Sequence, residues 1–306
     1  MRKIVALFAL VFSASAMAQT DTAAPKKPWT HSGLYSFALT QTALSNWAAG
    51  GSNSSNMTFL LKQAATLEKG KSTWFNLLEV NFGYNFQAGT DVKTDDKLEF
   101  TTRFDRQFGE TDWSGSFFGN ARTQMIDGYA NPEDSIRIST FLSPAYATYG
   151  LGVTNKGIDG LVLYVSPITV KNTFVNDPTL AEAGSFFDPD GPNVSDLASG
   201  KMRWELGAYL DVIYAKAFND RLEVTSKLSL FSNYLDRPQN IDVTWEGLVL
   251  IKATKWLTAS LLLNLIYDHD VAVRDSNGDG VLNAPGTQFK EVLGVGLSYS
   301  FGAFKE

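Results

Sequence analysis

Two short stretches near the end of the chain carry the residue types that do chemistry. The first is Tyr267-Asp268-His269-Asp270-Val271, with a histidine between two carboxylates. An acid–base role for His269 needs a nucleophile held beside it. Period-two spacing instead puts His269 on the face of Leu263, Leu265 and Tyr267, and the sequence pairs no serine with it. His269 is therefore the one catalytic candidate, without an assembled catalytic group around it. The other histidine, His31, stands near the start, and the chain has no cysteine. That excludes thiol catalysis, a disulfide framework and Cys-ligated metals.

The second stretch is Asp275-Ser276-Asn277-Gly278-Asp279-Gly280. It opens like a calcium loop, with Asp275, Asn277 and Asp279 offering oxygen ligands at alternate positions. Its twelfth position is Gly286, where a calcium loop needs a bidentate carboxylate. The expectation is an acidic loop with weak calcium binding at most, and no other cofactor. Asp188 to Asp196 is a still poorer cation loop.

The remaining polar chemistry is spread along alternating segments. Lys62, Glu68, Glu79, Lys97, Glu99, Arg103, Asp105, Arg122, Glu205, Asp211, Glu223, Lys227, Asp242, Glu246 and Lys252 fall on one face of these segments. The opposite face is apolar: Leu78, Val80, Phe82, Tyr84 and Phe86 alternate with Glu79, Asn81, Gly83 and Asn85. Strict alternation means strands with one wet and one apolar side. A dry core rejects so many charges, whereas a wet lumen tolerates them. Nine of these residues are acidic and six basic, a mixture that fits salt-bridged ladders better than a selective ion filter.

Something must hold these strands in one ring. The runs are often 12 or more residues long, beyond the usual ~5–6 of soluble strands and matched to tilted membrane strands of ~9–11 plus rims. Aromatics such as Trp74, Phe86, Trp113, Trp204, Tyr214, Tyr234 and Tyr267 sit near the ends of the apolar stripes, as interfacial girdles do. The expected fold is all-β: a transmembrane antiparallel up-and-down barrel of about 12 strands. The expected strands are 33–44, 55–68, 73–88, 96–108, 112–126, 138–152, 159–173, 201–217, 221–235, 240–253, 256–271 and 288–302. Tight turns then alternate with longer loops, which puts both termini in the periplasm. Pro144 and Pro167 make strands 6 and 7 read poorly. The segment 176–200, with Phe186-Phe187 among acids, is long enough to constrict the lumen, cap it or bind a partner.

The chain opens with a secretory signal: Arg2 and Lys3, an apolar run from Ile4 to Phe12, and Ala16-Met17-Ala18 before Gln19. The expected organisation is a signal peptide over 1–18, a disordered periplasmic leader over 19–31 and a barrel over 32–306. Loss of Arg2 and Lys3 takes the formal charge from -6 to -8, a balance that argues against nucleic acid. In Leu44 to Asn56, Trp47 reads as a lipid–water interface ring, while Gly50 and Gly51 let the chain turn at the rim. In the last strand Gly296, Tyr299 and Phe301 form Gly-x-x-aromatic-x-aromatic, which resembles the signal read by the barrel-assembly machinery.

Several stretches together resemble one family: Asn46 to Ser54, Thr94 to Phe104, Arg122 to Tyr129, Ile138 to Gly152, Leu230 to Gly247, Tyr267 to Asp270 and Gln288 to Phe301. They are similar to the domain of unknown function 3078 family of Bacteroidetes-type gram-negative bacteria. The resemblance implies an outer-membrane barrel and supplies no catalytic residue, ligand or substrate. The expected role is a narrow, porin-like passive channel, or a structural or partner-binding barrel. The alternatives are a barrel-wall lipid hydrolase and a transporter of hydrophobic substrates. Expected partners are outer-membrane lipids, the assembly machinery and an envelope protein.

Overall fold

The computed structural model describes residues 28–43, 53–87, 90–129, 137–184, 186–274, 276 and 283–302. Twelve long strands form the wall: β1 (Trp29–Thr42), β2 (Ser54–Lys69), β3 (Ser72–Gln87), β4 (Thr90–Gln107), β5 (Trp113–Thr123), β6 (Ala145–Ile158), β7 (Leu161–Val175), β8 (Lys201–Ala217), β9 (Leu222–Asn233), β10 (Ile241–Lys252), β11 (Leu257–Tyr267) and β12 (Gln288–Phe301). Each pairs antiparallel with its neighbours in sequence, and β12 pairs with β1, so the sheet closes into an up-and-down barrel. Closure removes the free edges that an open sheet would expose.

The closing seam is short. Gly33 to Phe37 pair with Phe301 to Leu297, whereas β1 and β2 pair from Trp29/Leu67 to Thr42/Ser54. Gly33 leaves room for the ring of Phe301, which packs 6.0 Å from Tyr35, and Tyr35 stacks on Tyr299. Gly296 stands so near Phe37 and Ala38 that a Cβ would collide with backbone. In the structure, the three residues expected to form the assembly signal thus make the seam.

Most wall strands alternate between a more buried inner row and a barer outer row. In β3, Phe75, Leu77, Glu79 and Asn81 are buried, while Trp74, Leu78 and Phe86 are exposed. Leu151, Ile168, Leu293 and Val295 are all at least 60 % exposed. So wide an apolar surface is stable only against lipid. Trp74, Phe104, Phe108, Trp113 and Trp256 lie toward the short-turn end. Phe86, Trp204, Tyr234 and Phe289 lie toward the other end.

The connections alternate in length. Gly70, Gly109 and Gly160 turn the chain at the short-turn end; at Gly160 the backbone adopts φ +75°, open to glycine without a Cβ penalty. Both ends of the barrel chain lie at this end. The opposite end bears the longer loops, with the exception of the β3–β4 connection. There β4 begins at Thr90 rather than 96, because Tyr84 to Gln87 pair with Lys93 to Thr90 past a bulge at Gly83/Tyr84.

Three further boundaries differ from expectation. β1 begins at Trp29, so the wall takes in Trp29, Thr30 and His31 from the end of the expected leader. The expected strand 138–152 is in fact β6 at Ala145–Ile158, and the expected turn Thr154 to Ile158 continues it. Arg137 to Ser139 instead pair with Gly128 and Tyr129 in a small hairpin. The apolar residues Ile138, Phe141 and Leu142 lie exposed on the loop before Pro144. Pro167 lies within β7, at a bulge between Gly207 and Tyr209 of β8. Ser166 Oγ donates to the carbonyls of Leu151 and Ile168 at 2.8 and 3.0 Å, and Thr169 Oγ1 donates to Ser166 Oγ at 2.7 Å. These hydroxyls seal the wall where proline lacks an N–H.

Candidate functional site: the ion-paired lumen

The inward rows bring the predicted charges together inside the barrel. Register alone builds part of the network: Lys62 faces Glu79, Glu79 faces Glu99, Glu99 faces Arg122, and Lys227 faces Glu246. Opposite charges at such positions attract, and like charges directly opposite repel. The Glu79–Glu99 clash is relieved by lysines. Lys62 Nζ lies 2.5 Å from Glu79, and Lys97 Nζ lies 3.0 Å from Glu99 and 3.9 Å from Glu79.

Lys97 also reaches across the lumen to Glu246, at 3.3 Å. Lys227 approaches Glu99 at 3.9 Å from the far wall. One oxygen from each of Glu79, Glu99 and Glu246 falls within 4.8 Å of the others. Three carboxylates at that spacing could hold a metal ion, but the Lys97 ammonium already contacts all three. Buried charges demand such partners, because an unpaired one costs several kcal/mol.

Toward the short turns the lumen fills. Arg103 Nε and Lys156 Nζ each lie 3.2 Å from Asp105, which also accepts a 2.8 Å hydrogen bond from Ser116 Oγ. Leu34, Leu60, Leu248 and Leu250 pack together with Leu262. Phe118 stacks 5.4 Å from Tyr209 and packs 5.3 Å from Tyr164. Between this packing and the Lys97 layer lies a pocket of only about 40 Å³. Asp211 accepts from Ser229 Oγ at 2.5 Å, and Glu223 pairs with Lys252 near the turns. Glu68 is exposed at the end of β2.

Toward the long loops the lumen widens into a cavity of about 540 Å³. Its floor is the Lys97 layer and its upper wall is acidic. Lys171 Nζ lies 2.7 Å from Asp242, 3.4 Å from Asp268 and 3.8 Å from Glu205. Arg203 pairs at 3.0 Å with both Glu205 and Asp270. Lys290 lies 2.7 Å from Asp95. Lys171, Arg203, Asp268, Asp270, Asp95 and Lys290 were not among the lumen residues read from sequence. Parity could have found Lys171, but Pro167 obscured its strand.

Two loops border this cavity, through Gln124, Pro144 and Phe186. Met125 and Ile126 donate backbone N–H groups to Asp96 at 2.8 and 3.0 Å, which pins the β5–β6 loop. In the 176–200 segment, Asp177 caps the short helix α1 (Pro178–Glu182) and pairs with Arg137. Val175, Leu180, Ala181 and Phe187 form a small core with Phe186 and Val194. Phe187 carries the Arg203 guanidinium at 5.9 Å from its ring, and Phe186 lines the cavity. The described part of the segment is thus folded on its own small core, with Phe186 against the cavity. Asp188 is engaged in its own turn, accepting from Asp190 N at 3.0 Å.

His269 lies apart from this network. Its Nδ1 is 3.2 Å from the Tyr267 hydroxyl, and among the described residues no serine hydroxyl is bonded to it. Trp47, Gly50 and Gly51 lie outside the described residues, as do Asp275, Asn277 and Asp279.

Fold and lumen together define a transmembrane β-barrel with an ion-paired interior. Residues 39–129 match the family model described as "Protein of unknown function (DUF3078)", the family whose motifs the sequence resembles. No curated protein matches the chain. Among solved structures it is similar to an outer-membrane channel from Pseudomonas putida F1, at 12% identity and TM-score 0.40, over 92% of this chain and 100% of that one. It is also similar to the translocator domain of the autotransporter NalP from Neisseria meningitidis, at 8% identity and TM-score 0.36, over 98% and 95%. A third is a deletion mutant of the TodX monoaromatic hydrocarbon channel, at 13% identity and TM-score 0.32, over 91% and 82%.

Proposed function

We propose that the protein is an outer-membrane barrel acting as a restricted passage for small polar solutes, with its termini in the periplasm and its long loops outside. The signal-like first 18 residues support export, and the apolar outer rows support residence in lipid. One observation carries the functional reading: a cavity of about 540 Å³ at the long-loop end sits directly on a layer of ion pairs that cross the lumen. A cavity of this size is in the range that holds small ligands. The layer below blocks free diffusion but is made of side chains that can exchange partners. An open porin lumen would leave its charges on the wall, unjoined across the middle.

The sealed bulge at Pro167 and the isolation of His269 give no support to the hydrophobic-transport and hydrolase alternatives. A liposome-swelling assay tests the reading. Vesicles carrying the folded mature protein should swell slowly in glycine and not at all in a trisaccharide. Rapid swelling in both would mean an open pore, and no swelling in either would mean a closed barrel.

A further inference from the structure

Most charges around the cavity are paired, and one is not. Among the described residues, Arg122 makes no ion pair within 4.0 Å and no hydrogen bond, although Glu99 faces it across the β4–β5 register; its close contact is the Tyr146 ring, 5.2 Å from its guanidinium carbon. Register explains the stacking, since Arg122 and Tyr146 are directly opposed on β5 and β6. The cation is thus held in place by an aromatic face while its N–H fork stays open to the cavity. The Tyr146 hydroxyl and the Asn264 amide also line this space, and neither has a hydrogen-bond partner among the described residues. A fixed guanidinium with free donors is suited to a carboxylate, which it can bind in two parallel hydrogen bonds.

The two ends of the cavity differ in charge balance. The floor has four cations, Lys62, Lys97, Lys227 and Arg122, against three carboxylates, Glu79, Glu99 and Glu246. The upper wall has four cations, Lys93, Lys171, Arg203 and Lys290, against six carboxylates, Asp95, Asp96, Glu205, Asp242, Asp268 and Asp270. A simple anion would be drawn to Arg122 but would have to pass an acidic mouth. A molecule with a carboxylate at one end and a cationic group at the other matches both ends.

We propose that the cavity binds a small zwitterion of amino-acid or short-peptide size, with its carboxylate on Arg122 and its cationic group toward Asp242 and Asp268. This names the solute class for the passage proposed above, yet binding needs no passage, so the two can fail separately. Binding without swelling would overturn only the passage, and swelling without binding only the site.

Isothermal titration calorimetry of the folded mature protein in micelles, with trialanine as probe, tests the site. Trialanine should bind saturably, and its C-terminal amide should bind wild type about tenfold more weakly or worse, as expected for loss of a charge-assisted pair. Arg122→Gln should weaken trialanine by a similar factor and leave the amide unchanged. Equal binding of trialanine and its amide to wild type would overturn the proposal without any variant. So would trialanine binding that Arg122→Gln does not alter, or the lack of any saturable binding.

Discussion

Lys97 on β4 and Glu246 on β10 stand on opposite sides of a ring of twelve strands, yet their charged groups lie 3.3 Å apart. The same lysine holds Glu99 and Glu79 on its own side of the lumen. One ammonium therefore braces the barrel across its width, and with Lys62 and Lys227 it balances three carboxylates that would otherwise repel.

This brace sets a stability prediction. Lys97→Met should cost about 3–5 kcal/mol, the usual loss when one partner of a buried pair is removed. Adding Glu246→Gln should recover part of that, because one of the stranded charges goes with it. Urea unfolding of the single and double variants in lipid vesicles gives the coupling. Additive losses would mean that the two residues do not interact.

How far the sequence leads is visible in the same pair. Period two places Lys97 and Glu246 on inward rows, and the hydrophobic pattern locates most of the wall strands. Nothing in it joins two residues 149 positions apart, because ring closure and shear decide which inward side chains meet. Strand β6 was misread for a local reason. Ile138, Phe141 and Leu142 are apolar like wall residues, but Pro144 interrupts the ladder and the segment folds on the loop instead. The polar run Thr154-Asn155-Lys156 resembles a turn, yet it continues β6 because Lys156 and Thr154 face Asp105 in the lumen.

The lipid-facing rows make a second prediction. Leu293, near the middle of β12, is 70 % exposed. Leu293→Arg should destabilise the barrel by about 2–4 kcal/mol in a bilayer, as charges do at the midplane of such walls. A change within about 0.5 kcal/mol, the norm for a water-exposed surface site, would contradict a membrane-facing wall.

Closure of the ring can be tested by chemistry the native chain lacks. Ser36 and Ser298 are register partners at the β1–β12 seam, and the sequence contains no cysteine. Paired strand residues approach within the ~4.4–6.8 Å Cα separation that a disulfide spans. Ser36→Cys with Ser298→Cys should form an intramolecular bridge under mild oxidation, seen by intact mass and by faster migration on a non-reducing gel. Free thiols, or bridges only between molecules, would mean the two strands do not meet.

The central claim is that ion pairs spanning the lumen close the passage beneath the cavity. Single-channel conductance in a planar bilayer tests it most directly, comparing wild type with Lys97→Ala/Glu246→Ala, which removes the brace without changing net charge. Wild type should give small, intermittent steps, and the double variant larger, steadier ones. Large steady steps from wild type that the double variant leaves unchanged, or no steps from either protein, would contradict the account.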